Sequence, residues 1–129
     1  MATGFPAATG DVLSASMFNG LVAYTLNEQT GTTYTTVLSD SYQVLLTVSN
    51  ASANAVKIPT NASVAHPVGT VITVLNKGAG TCTISAVTSG TTTVLSAGAT
   101  AASPTLAQYK SAALIKTATD TWYVVGGIS

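Results

Sequence analysis

The sequence predicts an all-β fold, a single antiparallel β-sandwich or jelly-roll-like domain of about eight short strands behind an N-terminal arm that contains a short helix. Turn signals rich in Gly, Pro, Asn and Ser recur at intervals of roughly ten residues, a spacing typical of sandwiches and barrels. Several of the segments between these turns alternate apolar and polar residues, as a strand with one buried face does. A single segment has helical spacing, and no repeat with a fixed period is visible.

The densest β-forming run of the chain is Thr70–Leu75, which we interpret as the central strand of the domain. Its six residues are β-branched or leucine, a composition that favours a pleated strand over a helix. Ile72 and Val74 share one face, while Val71 and Leu75 lie on the other. Apolar groups on both faces predict a strand that is covered on each side.

Residues 1–26 are predicted to be an arm that precedes the β domain. The first ten residues are small and show no alternation, and Ser14 can then cap a short helix. Leu13, Met17 and Leu21 recur every four residues and would form an apolar stripe on that helix. The helix could fold back on its own domain, or the arm could dock on a neighbouring subunit. The candidate residues for capsid or subunit contact are Phe5, Val12, Leu13, Met17, Phe18 and Leu21.

Residues 27–129 are predicted to form the β domain. Residues 76–80 are expected to be the hairpin turn after the central strand, and residues 118–120 the turn of a second hairpin. Pro104 bars a central strand position in the loose segment 97–107. The predicted strands are 32–38, 42–48, 56–58, 70–75, 81–87, 91–96, 109–117 and 121–125.

The charge content is unusual and bears on the choice of partners. Only 6% of the residues are charged, against about 25% in an ordinary soluble domain. All four basic residues are lysines, so bidentate recognition of phosphate by Arg is excluded within one chain and nucleic-acid binding is not expected. Near-zero net charge on an apolar chain favours association. We therefore expect a surface that is partly buried against other copies or a larger assembly.

No catalytic, cofactor-binding or metal-binding residues are predicted. His66 is the sole histidine, and it is interpreted as a loop residue, since neither a general base nor a metal site can be built from one ligand. The alternative is a metal on an oligomer axis where three copies of His66 meet. The four acidic residues are scattered along the chain, and no Gly-x-Ser-x-Gly elbow is present.

The remaining distinctive side chains are interpreted as structural. The single cysteine, Cys82, shares a face with Ile84 and is expected to be a small buried hydrophobe. Trp122 and the tyrosines are expected to pack in the core and in subunit contacts, with a sugar-binding groove as the alternative. The chain lacks a signal peptide and any long apolar run, so we expect a soluble protein made in a reducing cytoplasm, without a membrane partner.

Several short motifs follow one another along the chain. After Gly10–Ala15 with Asn19 they are Gln29–Thr35, an Asn-rich loop with a strand that ends at Pro59, Pro67–Ile72, Gly78–Gly80, Ala113–Lys116 and Asp120–Trp122. In this order the motifs from Gln29 onward resemble a β domain common in structural proteins of tailed bacteriophages, where it decorates heads or forms parts of tail fibres. The upstream motif is similar to a segment that often begins phage virion proteins, and together the motifs span nearly the whole chain.

This resemblance implies a homotrimeric virion protein without catalytic residues, made in the host cytoplasm. A tail fibre normally has a long shaft, whereas this chain has an arm and one domain, which favours a capsid decoration (cement) protein. The implied partners are other copies of the chain and the major capsid protein on the outer capsid surface. The alternative is a tail or tail-fibre module that binds a host receptor or carbohydrate.

Overall fold

The computed structural model describes residues 23–96 and 102–128. Within these ranges the chain forms ten strands and one 3-10 helix, Leu38–Ser41. The strands are β1 (Thr25–Gln29), β2 (Thr33–Thr35), β3 (Val44–Val48), β4 (Asn54–Ile58), β5 (Val71–Asn76), β6 (Cys82–Ala86), β7 (Thr93–Leu95), β8 (Thr105–Leu106), β9 (Ser111–Ala118) and β10 (Thr121–Gly126). The all-β prediction is therefore confirmed.

The strands form two mixed sheets between which the chain passes back and forth. Sheet A has the order β1-β3-β5-β9-β10-β7, and sheet B has the order β2-β4-β6-β8. The first six strands alternate between the sheets, and each of the first four pairs in parallel with the strand two positions later. The chain thus winds through three parallel coils, each made of one strand from either sheet.

The second and third coils repeat with a constant offset. Leu46 pairs with Val74 in sheet A and Val56 pairs with Ile84 in sheet B, so both pairs lie 28 positions apart (46 to 74, 56 to 84). The first and second coils are offset by 19 positions in sheet A (25 to 44) and by 22 in sheet B (33 to 55). No fixed period therefore runs through the three coils, in agreement with the sequence, in which none is visible.

The predicted antiparallel arrangement holds for only part of each sheet. Among the described strands, five of the eight pairings are parallel, and the antiparallel ones are β5–β9, β9–β10 and β6–β8. Residues 76–80 carry the chain from sheet A to sheet B, so the hairpin predicted there is wrong. Alternation and turn spacing look the same whether a turn leads to a neighbouring strand or to the opposite sheet. The hairpin at residues 118–120 is confirmed.

The two sheets enclose one core. Inward residues such as Leu46, Ile72 and Leu114 of sheet A meet Val56 and Ile84 of sheet B, and all are fully buried. Burial of such aliphatic side chains contributes about 1.5–3 kcal/mol each. The core therefore lies between the sheets, and their outer faces are not part of it.

The central strand is placed correctly by the sequence but is covered on one face only. β5 lies between β3 and β9 in sheet A. Its inward residues Ile72 and Val74 are fully buried, whereas Val71, on the outer face, is 49% exposed. The expectation that both faces are covered is wrong for the part of the chain that the structure describes.

Part of the predicted arm lies outside the described residues. The helix and the stripe of Leu13, Met17 and Leu21 fall in residues 1–22, so they stay predictions. β1 begins at Thr25, within the range assigned to the end of the arm. In the described part of the chain, no helix is long and apolar enough to cross a membrane.

Candidate functional site

Two features of the described chain could serve a function: a buried polar cluster at one side of the core and the outer face of sheet A. The first part of the polar cluster surrounds Asp40, in the 3-10 helix. Its carboxylate accepts hydrogen bonds from the Tyr34 hydroxyl (2.6 Å), the Asn27 side-chain amide (3.0 Å) and the Val37 backbone N–H (3.0 Å). Asp40 is 1% exposed, and these charge-assisted bonds offset the loss of its hydration.

The Tyr34 hydroxyl is held in its neutral form by this arrangement. Burial and the hydrogen bond to Asp40 raise the pKa of Tyr34 to about 12. Asn27 points inward from β1, at a position where the next two coils place Leu46 and Val74. The first coil therefore ends the apolar core with a polar layer, as the terminal units of coiled repeat folds do.

His66 forms the second part of the cluster. It lies in the loop between β4 and β5, as predicted, but it is 2% exposed. Its Nε2 is 3.0 Å from the Thr36 hydroxyl, and its Nδ1 is hydrogen-bonded to the Ser41 hydroxyl. The ring also meets the edge of Trp122, with 5.4 Å between ring centroids. Both ring nitrogens are occupied, so the alternative of a metal bound by three copies of His66 has no free ligand atom to use.

Lys116 completes the cluster from β9. Its ammonium donates to Asn61 Oδ1 (2.7 Å) and to the His66 backbone carbonyl (2.6 Å), and the side chain is 2% exposed. Burial lowers the pKa of Lys116, and the charge of Asp120 opposes that shift. The ammonium also lies 5.9 Å from the Trp122 ring centroid, a cation–π distance. Lys116 thus ties the loop before β5 to the end of β9.

The hydrogen bond between Ser41 and His66 invites comparison with a hydrolytic site. In a serine triad a carboxylate holds the second imidazole nitrogen and orients the base. Here that nitrogen meets the Thr36 hydroxyl, and the nearby Asp40 carboxylate is occupied by three other donors. The geometry suits a cluster that holds two loops and the 3-10 helix against the core.

Acid should weaken this cluster, because burial and the charge of Lys116 lower the pKa of His66 while Asp40 only partly opposes them. A lowered pKa means that the unfolded chain binds more protons than the folded one below the ordinary value of about 6.5. The His66 contribution is therefore complete above about pH 6.5 and is lost as the pH falls through the folded-state pKa. We expect the free energy of unfolding, measured by urea denaturation, to decrease from pH 7.5 to pH 5.

The matched variant for this pH dependence is His66→Gln, which keeps polar atoms at the position but does not titrate. Because His66 is the sole histidine, no other side chain has its ordinary pKa in that range. The slope of stability against pH should be markedly smaller in the variant, whatever its absolute stability. An equal slope in both proteins would contradict the prediction.

The residues of this cluster were missed by the sequence analysis, apart from the placement of His66 in a loop. One signal was available: Lys116 occupies an inward position in β9, two residues after Leu114 and four after Ala112, both buried. A lysine in the apolar register of an alternating strand indicates a buried cation that needs partners. The partners themselves come from distant segments, and no local pattern identifies them.

The other side chains singled out from the sequence have clear places. Cys82 is fully buried in the core, as predicted, and burial raises the pKa of its thiol to about 11. Trp122 is 1% exposed, which removes it from any sugar-binding groove. The contact candidates Phe5, Val12, Leu13, Met17, Phe18 and Leu21 all lie outside the described residues.

The second feature is the outer face of sheet A, formed by the residues that alternate with the buried ones. Leu26, Val71 and Val125 are 57%, 49% and 49% exposed, and Tyr123 is 42% exposed. Glu28 is the only charged residue that the described strands of sheet A place on this face, and it pairs with Lys77 at the sheet's end. A six-stranded sheet thus presents a nearly uncharged, largely apolar surface.

These features define a mainly β protein of two mixed sheets, with a closed polar cluster inside and an apolar face outside. Comparison with protein-family models, with curated proteins and with solved structures found no match.

Proposed function

We propose that this chain is a non-enzymatic virion structural protein of a tailed bacteriophage, a capsid decoration (cement) protein. It would bind the outer head surface as an oligomer, expected to be a trimer, and stabilise contacts between capsomers. The observation that carries the proposal is the outer face of sheet A, because an apolar surface that spans a whole sheet is typical of a protein that functions in an assembly. The resemblance of the sequence motifs to those of phage structural proteins and the charge content of 6% support the same class.

In this proposal the arm contributes the contact with the capsid. The stripe of Leu13, Met17 and Leu21 would lie in a groove between capsomers, as amphipathic helices bind apolar grooves. Because the arm precedes the β domain in the sequence, it would extend beyond that domain to the capsid. The sheet face then remains available for contacts within the oligomer.

The proposal is tested by binding to heads that have been purified without this protein. The full-length variant Met17→Asp, Leu21→Asp should lose saturable binding, because it introduces two carboxylates into the apolar stripe. The matched control, Thr3→Asp and Thr9→Asp, adds the same charge to the arm outside the stripe and should bind as the unmodified protein does. Equal saturation of heads by both variants would exclude the arm as the contact with the capsid.

A second candidate function, a tail or tail-fibre module that binds a receptor or carbohydrate, is favoured by one observation. Tyr109 is 77% exposed on a backbone with φ of 65°, a conformation that bulky residues seldom adopt. Exposed aromatic rings are suited to stacking on sugars, and such backbone outliers concentrate at functional sites. Saturable glycan or host-cell binding that Tyr109→Ala abolishes would favour this function, and finding the protein on heads in virion images would exclude it.

A further inference from the structure

We propose that copies of this chain associate through the outer face of sheet A, each face packing against the same face of another copy. Two identical faces that pack against each other are related by a twofold axis, so the inference gives a dimer in place of the trimer that the resemblance implies. It rests on the proposed function for its biological role. It assigns the sheet face to self-association and leaves the arm for the capsid.

In the middle of sheet A, the sequence pattern of β5 does not match the exposure of its side chains. Strands that are apolar on both sides are typical of sheets covered on both faces. β5 has this pattern, with Val71 and Leu75 opposite the buried Ile72 and Val74, yet Val71 is half exposed. The sequence is that of a covered strand, whereas residues 23–96 and 102–128 provide no complete second layer over this face.

The exposed apolar side chains on the outer face of sheet A are contiguous. The strand register places them in two adjacent rows that cross the sheet, so they form one patch rather than scattered side chains. Scattered exposed hydrophobic residues are ordinary, whereas a continuous apolar patch marks an interface. The rows are Leu26, Leu45, Thr73, Ala113 and Val125, and Val71, Ile115, Tyr123 and Leu95.

The lack of unpaired charge on this face favours another copy of the chain as its binding partner. Two copies of this face meet without like-charge repulsion, because Glu28 is already paired with Lys77 within each chain. A partner with an ordinary charged surface would have to bury its charges against leucine, valine and tyrosine without counter-charges, which is unfavourable. Outward hydroxyls such as those of Thr73 and Tyr123 add the adaptable polar groups that interfaces contain.

The outer face of sheet A is large enough for a specific interface between two copies. Six strands about 4.8 Å apart, with about five residues each at roughly 3.3 Å per residue, give on the order of 400 Å² of flat area. With side-chain relief on both copies, face-to-face packing buries on the order of 1,000 Å², near the lower bound for a specific interface. Sheets that pack in this way interdigitate at a separation of about 10 Å, as in a sandwich core.

The test is the oligomeric mass of the full-length protein, measured by sedimentation equilibrium at micromolar concentration. The unmodified protein should be a dimer, and a trimer would overturn the inference. Val71→Lys and Tyr123→Lys should each raise the dissociation constant on the order of a hundredfold, because each buries an unpaired ammonium at the centre of the face. Val71→Thr keeps the branched shape without adding charge and should change the dissociation constant far less. Val68→Lys, at a loop residue that is 63% exposed and outside the sheet, should leave it unchanged.

Circular dichroism and thermal unfolding of each variant show whether the lysines act on association rather than on folding. A folded Tyr123→Lys protein that keeps the mass of the unmodified oligomer would overturn the inference, as would an unmodified protein that sediments as a monomer. Head binding is read separately. Loss of the oligomer in both lysine variants supports the inference even if the unmodified oligomer fails to bind heads, in which case the proposed function alone is wrong.

Discussion

Gly80→Ala should destabilise the protein by about 3 kcal/mol or more, or prevent folding. A Cβ built on Gly80 would lie 1.9 Å from the Ser52 carbonyl oxygen and 2.9 Å from the Asn50 carbonyl oxygen. Both are backbone atoms of the turn in the preceding coil, so they cannot move aside without disturbing that coil. The stacked turns at residues 49–53 and 77–81 therefore need a glycine at this position because of space.

The measurement is thermal unfolding followed by circular dichroism, where a loss of this size corresponds to a fall of roughly 10 °C in the midpoint. Gly90→Ala is the matched control, because a Cβ at Gly90 meets nothing within 4 Å. The control should stay within about 1 kcal/mol of the unmodified protein. Equal stability of the Gly80→Ala protein and the control would contradict the stacking of these turns.

Lys116→Ala should cost about 3–5 kcal/mol of unfolding free energy. The substitution leaves a cavity beside Trp122 and removes the donor to Asn61 Oδ1 and the His66 carbonyl. The strand itself is retained, because alanine already occupies the inward position Ala112 of β9. Urea unfolding at pH 7 provides the measurement, with the slope checked for a change in the exposed area.

Lys116→Met separates packing from pairing, because methionine has similar length but donates no hydrogen bond. It should cost about 1–3 kcal/mol, since the two acceptors are left buried and unpaired while the volume is kept. The methionine variant is thus expected to lie between the unmodified protein and the alanine variant. A cost equal to that of alanine would assign the whole effect to the ammonium, and a cost near zero for alanine would contradict burial of this side chain.

Local structure was predictable where one face of a strand is apolar. The predicted strands at 42–48, 70–75 and 121–125 match β3, β5 and β10 within two residues at each end, because alternation is a property of the strand alone. β1 escaped prediction since its inward residue Asn27 belongs to the polar layer that closes the core. Its sequence therefore lacks the apolar positions that identify the later strands.

Pairing between strands was not predictable in the same way. Whether Thr73 lies beside Leu45 or beside a residue of β6 depends on the turn between β5 and β6, and an Asn-Gly-rich turn allows both a hairpin and a crossing to the other sheet. The crossing here is fixed by Asn76, whose side chain bonds Gly78, Gly80 and Leu106. Leu106 is 30 residues further along the chain, so this determinant is not local.

The polar cluster shows the same limit. Tyr34 and Asp40 lie six residues apart, but His66 and Lys116 come from distant segments. Of these residues only Lys116 stands out in its own strand. The outer face of sheet A was foreseen in part, since the two-sided apolar pattern of β5 indicates a covered strand. The structure shows that the exposed side of that strand is the one that carries Val71.

The parallel coils also bear on how the chain is synthesised. The ladders that join β1 to β3, β3 to β5, β2 to β4 and β4 to β6 involve no residue beyond Ala86. Each coil can therefore find its partner on the coil already made while the ribosome is still adding residues, at about 5–20 per second. In a jelly roll the first strands wait for partners encoded far downstream. Here β9 and β10 are made last and add to strands that are already paired. The time during which unpaired strand edges are exposed is therefore shorter.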